Sequence, residues 1–171
     1  MYDIEVKKKM ANITVQTSSN VFYQARCKAS THNEQLSSRE GAADILLIEK
    51  GRLYRIEKGV TNPYPEEVHM MADLYNAPEL RSYYCKHYCP LGENVPEVNI
   101  IKLDRITIKA LSAFKRVEET GTTLLDITED GIITEDEKPD MEKILKNLEE
   151  LEAVTQNLRV WVKKNLMVGG E

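Results

Sequence analysis

The chain lacks any run of 18 apolar residues, which excludes a membrane-spanning helix. No apolar stretch follows the lysines of MYDIEVKKKM, so no signal peptide is expected. Glycine and proline are scarce, at 8 and 6 of 171 residues, and aromatic residues make up only 6%. Few breakers combined with 30% charged residues point to an all-α protein, expected to be cytoplasmic. The three cysteines, Cys27, Cys85 and Cys89, make an odd count. An odd count argues against a secreted disulfide framework and fits a reducing compartment.

An excess of positive charge is also missing. The net charge is -5, but its distribution matters more than its sum. Residues 1–96 carry 12 Lys+Arg against 12 Asp+Glu, whereas residues 97–171 carry 11 against 16. A neutral N-terminal half can still present one basic face, and affinity for a polyanion depends on that local face.

What is present is helical periodicity. Residues 1–19 read as a polar arm. Helical patterns follow at Asn20–Ala29, from LSSRE onward, around KGRLYRIEKG, at Glu66–Leu74 and at Glu79–Tyr88, with NPYP as a turn. Ser37 with Glu40, or Ser38 in its place, is the expected N-cap of the second helix. Pro96 marks the expected domain boundary. Beyond it, over residues 98–167, two long amphipathic segments follow. The first has a stripe of Leu103, Ile106, Ala110, Phe114, Val117, Gly121 and Leu124; the second has Met141, Ile144, Leu148, Leu151, Val154, Leu158, Trp161 and Leu166. The short link between them predicts an antiparallel helical hairpin.

Over about residues 20–80 the chain resembles the Cro/XRE-type helix-turn-helix regulators. The resemblance rests on Gln24–Arg26, on SREGAADIL, on RLYRIEKG and on NPYPEEVHMMADLY. The family's small residue in helix two falls on Ala43, the buried apolar of the turn on Ile48, and the core pair of the recognition helix on Leu53 and Ile56. A Tyr-Cys-x-x-x-Cys-Pro segment with a helical tail is similar to a phage-associated, Gram-positive subgroup. The resemblance implies a five-helix DNA-binding domain over residues 20–92, and a helix at about 49–58 that enters the major groove. It implies a DNA-contact set of Arg39, Lys50, Gly51, Arg52, Arg55 and Lys58. Lys50, Arg52 and Arg55 would read bases, because guanine edges offer acceptors to basic side chains. Arg39 would anchor phosphate at a helix start, while Lys58 and Arg26 suit phosphate or structural roles. Three positions depart from the family: Leu47 replaces the usual glycine of the turn, Glu49 replaces the usual Ser or Thr cap, and Gly51 lies within the recognition helix.

The implied function is sequence-specific binding of double-stranded DNA and transcriptional regulation. The alternative is a protein-interaction adaptor with a degenerate helix-turn-helix, acting through the acidic C-terminal hairpin. The wide apolar stripes, with Ile100, Ile101, Ile108, Leu111, Leu125, Leu145, Val160 and Val162 outside one seam, suit a homodimer through a four-helix bundle. Packing back onto the first domain is the competitor.

Other constellations are weaker. DITEDGIITEDE, residues 126–137, has calcium-loop spacing at Asp126, Asp130, Gly131 and Glu137. The competing reading is a turn stopped by Gly131 and restarted by a Thr134–Glu137 capping box. Cys27, Cys85, His87 and Cys89 could hold zinc if the first and fifth helices touch, or Cys85 and Cys89 could be small buried residues. His32 and His69 are isolated, and no nucleophile, phosphate-loop or paired-carboxylate pattern suggests an enzyme. No cofactor is expected.

Overall fold

Asn20 opens the first helix by accepting hydrogen bonds from the N–H groups of Phe22 (3.0 Å) and Tyr23 (3.1 Å), which satisfies two otherwise unpaired donors. From that residue onward the computed structural model describes residues 20–99, 101–129 and 131–166. The arm 1–19 with its lysine triplet, Ile100, Asp130 and residues 167–171 lie outside the described residues. The fold is all-α, with no strand among the described residues. The chain divides into two units, residues 1–93 and 94–171.

The first unit contains α1 (Val21–Ala29), a 3-10 turn (Glu34–Ser37), α2 (Arg39–Leu46), α3 (Lys50–Glu57), α4 (Pro65–Leu74) and α5 (Glu79–His87). The boundaries around α2, α3 and the start of α4 have chemical causes. Ser38, not Ser37, caps α2 by accepting from the Gly41 N–H at 3.0 Å; Ser37 is used in the preceding turn. At the other end Leu47 adopts φ 55°, and the Ile48 N–H returns to the Ala43 carbonyl at 3.1 Å, closing a Schellman stop. Glu49 then caps α3 by accepting from the Gly51 N–H at 3.0 Å. A Cβ at Gly51 would lie 2.5 Å from that carboxylate, so the glycine leaves room for the cap. Pro65 starts α4 at the position where its missing N–H costs nothing, and Glu67 reaches back to the Tyr64 N–H at 2.7 Å.

These boundaries place one apolar face of every helix inward. Phe22, Leu36, Leu46, Leu53, Ile56, Val68, Met71 and Leu80 are buried in a common core. Ala43 and Ile48 are buried with them, as the sequence led us to expect. The tyrosines of α5 and its end, Tyr83, Tyr84 and Tyr88, pack against this core, with Tyr83 meeting Phe22 edge-on at 6.2 Å between ring centroids. Because these rings take the inward positions, Cys85 is exposed rather than buried, and Cys89 is half-buried. The chain then folds back so tightly that a Cβ at Gly92 would collide with the Cys85 carbonyl.

The second unit consists mainly of α6 (Leu103–Thr128) and α7 (Lys138–Leu166). Arg116 pairs with Glu150, and the Asn99 N–H donates to Asn157 Oδ1 at 2.9 Å, so the two helices run in opposite directions. On α6 the seam is Ile106, Ala113 and Ile127, with Ala110, Val117, Thr120 and Leu124 half-buried between them. Its steps alternate between four and three residues. The expected stripe placed Phe114 in this seam, but Phe114 is 56% exposed. Two successive four-residue steps, Ile106 to Ala110 to Phe114, would carry the stripe roughly 80° round the helix, whereas a three-residue step to Ala113 brings it back, so Ala113 takes the place. The link carries the second of the two expected forms: Gly131 adopts φ 75°, and Glu137 Oε2 accepts from both the Thr134 N–H (2.8 Å) and its hydroxyl (2.6 Å). Near the start of α6 a cavity of about 260 Å³ is bordered by Ile101, Lys102, Ile106, Val160 and the half-buried Trp161.

Leu47 combines a left-handed backbone with a side chain that is 91% exposed. L-residues with a β-carbon pay for that conformation and glycine does not, while glycine loses more entropy on folding. Leu47→Gly is expected to stabilise the first unit by about 0.5–1 kcal/mol, read as a higher urea midpoint by circular dichroism. A lowered midpoint would mean that the leucine side chain holds the turn.

Candidate nucleic-acid interface

The geometry of α3 follows from a buried carboxylate at its end. Glu57 is 0% exposed. It accepts from Arg26 Nε at 2.5 Å and Nη2 at 3.1 Å, and from Arg39 Nε at 2.5 Å. A buried ion is stable only with this kind of paired, hydrogen-bonded company. Arg26 also donates to the carbonyls of Leu36 (2.8 Å) and Ser37 (3.2 Å), which ties the turn before α2 to the same charge cluster. Burial lowers the Arg26 pKa, but Glu57's hydrogen bonds and charge outweigh it and hold the guanidinium above its ordinary value. Tyr75 lies close by, and burial first, then the Glu57 charge, pushes its hydroxyl well above the usual range. Asn20 completes the clamp by donating to the Ile56 carbonyl at 3.0 Å.

With Leu53, Ile56 and Glu57 inward, α3 turns Lys50, Tyr54 and Lys58, spaced one helical turn apart, to another face beside Gly51 and Arg55. Lys50 pairs with Glu40 at 2.7 Å, with both side chains mostly exposed. Arg55 approaches Glu49 at 3.5 Å, also at the surface. Exposed pairs of this kind contribute about 0–1 kcal/mol and exchange readily for another anion. Lys58 Nζ lies 5.7 Å from the centroid of the Tyr54 ring, and Arg39 lies 5.1 Å from the same ring.

Arg52 is placed differently. Its Nε and Nη2 both bond to Glu67, the latter at 2.8 Å, and its guanidinium lies 4.1 Å over the Tyr64 ring. The Glu67 hydrogen bond raises the Arg52 pKa, ahead of the opposing effect of burial. This fork-to-fork pair joins α3 to the start of α4, the helix that Glu67 also caps. Thus Arg39, Lys50, Gly51, Arg55 and Lys58 gather around the outer side of α3, while Arg52 is engaged on its flank.

Tyr54 was absent from the sequence reading. It is 45% exposed at the middle of the outer face, between the Arg39 and Lys58 cations. The four-residue spacing of Lys50, Tyr54 and Lys58 carried the signal. Other constellations are not assembled. Cys27 neighbours Tyr23, whose hydroxyl pKa is raised first by their hydrogen bond. Among the described residues no three His, Cys, Asp or Glu side chains gather as a metal centre requires. Asp126 lies in the last turn of α6 and Glu137 is spent on Thr134, while Asp130 lies outside the described residues. Among the described residues no helix is long and apolar enough to cross a membrane.

Comparison of the chain with protein-family profiles, curated proteins and solved structures finds no match.

Glu57→Ala should destabilise the first unit by about 3–5 kcal/mol, because it leaves two arginines beside an empty site. Lys50→Ala should change stability by no more than about 0.5 kcal/mol. Thermal unfolding of the two variants in parallel distinguishes the structural charge from the surface charge. Calorimetry with millimolar calcium should give no binding heat, since Glu137 is already bonded to Thr134.

Proposed function

We propose that the chain is a sequence-specific binder of double-stranded DNA and a transcriptional regulator. In this reading residues 20–92 form a five-helix, Cro/XRE-like helix-turn-helix domain, with α3 as the recognition helix. One observation carries it: α3 is fixed on its inner side by Leu53, Ile56 and Glu57, and leaves Lys50, Tyr54, Arg55 and Lys58 on other faces. A recognition helix needs this division between a rigid inner face and a free outer one. The placement of Leu47, Glu49 and Gly51 adds support, because all three departures from the family pattern find roles in the turn and cap between α2 and α3.

Roles then follow from the partners. Lys50 and Arg55 read base edges, since their surface carboxylates are weak competitors. Arg39, partly exposed and oriented by Glu57, contacts phosphate, and so does Lys58. Tyr54 packs on the sugar-phosphate backbone or on a thymine methyl. Arg52 acts as a positioning residue that holds α4 against α3, and does not read bases. Gly51 allows close approach at the start of the helix. The acidic second unit contributes no DNA contact.

The adaptor alternative has an observation of its own: Leu111, Phe114, Leu125, Leu145 and Leu148 are exposed on the second unit. A chain whose helix-turn-helix has lost its ligand would act through that surface alone.

Selection of bound duplexes from a random pool, at near-physiological salt and with the full chain, separates the readings. An enriched motif is expected, with affinity that falls steeply as salt rises. Lys50→Ala with Arg55→Ala should abolish enrichment while leaving the unfolding midpoint in place. Each lost base contact should cost about 1–3 kcal/mol. Arg52→Ala should instead lower stability first. No enrichment from folded protein would remove the DNA reading and leave the adaptor.

A further inference from the structure

The cavity in the second unit has an internal order that helical spacing imposes. Asn157, Val160, Trp161 and Lys164 recur at steps of three and four residues, so one face of α7 forms a wall about 10 Å long. The facing wall comes from Ile101, Lys102 and Ile106, at and just before the start of α6. In this antiparallel pair, Arg116 opposite Glu150 sets Ile106 about level with Val160, and Lys102 about level with Lys164. The cavity therefore has an apolar body and a cationic end.

The body is held in place. Ile106 and Val160 are 1% and 7% exposed, so the seam closes behind them. The Asn157 amide is spent on the backbone: its Oδ1 accepts from the Asn99 N–H at 2.9 Å, and its Nδ2 donates to the Ala153 carbonyl at 2.7 Å. Asn165 likewise donates to the Trp161 carbonyl at 2.8 Å. These bonds fix the walls around a space of about 260 Å³, with the half-buried Trp161 on one side.

The cationic end stands in an acidic environment. Residues 97–171 carry 11 Lys+Arg against 16 Asp+Glu, so acids outnumber the cations they could pair with. Lys102 nonetheless pairs with no carboxylate among the described residues. Ligand pockets combine apolar walls with a few convergent polar groups, and drug-sized ones begin at roughly 300 Å³. This cavity has that division of polarity at a slightly smaller size.

We propose that it binds a small aromatic carboxylate. The ring lies among Ile106, Val160 and Trp161, and the acid group meets Lys102 and Lys164. The indole favours a ring over an alkyl chain, because aromatic pairs gain from stacked or edge-on geometry beyond the area they bury. The two ammonium groups favour an anion, and the volume leaves room for one ring with a short acid arm.

The proposal goes beyond DNA binding, does not depend on it and is tested without DNA. Calorimetry of the full chain with 3-phenylpropionate should give saturable heat with a Kd of about 0.1–1 mM, as suits so small a ligand. 3-Phenylpropanol, which keeps the ring and loses the charge, should bind at least about 10-fold more weakly. Lys102→Ala with Lys164→Ala should erase that difference and leave the affinity for the alcohol unchanged. Ile101→Trp, made in the segment before α6, fills the space and should abolish binding of both compounds. Circular dichroism checks that both variants keep their helices. No heat from the wild-type chain at about 5 mM acid overturns the proposal. So does an alcohol that binds as tightly as the acid, inorganic phosphate that binds more tightly than the acid, or acid binding that persists undiminished in either helical variant.

Discussion

The first unit depends on the carboxylate of Glu57 held between Arg26 and Arg39. Three helices and the turn before α2 meet at that one charge. Such a cluster is a weak source of net stability, since removing ions from water costs nearly as much as pairing them returns. Its value lies in geometry. A buried carboxylate tolerates few arrangements of its partners, so the end of α3 is fixed relative to α1 and the start of α2. The outer face of α3 inherits that fixed orientation.

A second use of charge follows. The first unit is neutral overall, yet its basic residues divide by the partner each one has. Arg26 and Arg52 are committed to buried glutamates, whereas Lys50 and Arg55 meet only surface glutamates. Counting basic residues along α3 therefore overstates what an incoming polyanion would find. The acceptor of each cation, and how far that acceptor is from water, decides which of them is available.

The readable and unreadable parts of the sequence separate along the same line. Leu53, Ile56, Ala43 and Ile48 were legible because the resemblance to a helix-turn-helix implied buried apolar residues at those positions, and all four are buried. The Thr134–Glu137 cap was legible because its partners are three residues apart. Arg52 was not, because Glu67 lies fifteen residues away on another helix, and only tertiary packing brings the fork together. The role of Glu57 was hidden for the same reason, since Arg26 and Arg39 lie 31 and 18 residues away. On α6 the choice between Ala113 and Phe114 was undecidable from periodicity: steps of three and four both fit, and the larger, more apolar residue was the natural and mistaken choice. Tyr54 was hidden by attention to charge, although its spacing from Lys50 placed it on the same face.

Trp161, half-buried beside the cavity near the start of α6, is the chain's single tryptophan. The described tyrosines, by contrast, all belong to the first unit. The two units thus carry different chromophores. Light absorbed only by indole reports on the second unit, and the near-ultraviolet signal of phenols reports on the first. Whether the halves melt as one cooperative body or as two can be read from the unlabelled chain by comparing two wavelengths in a single temperature ramp.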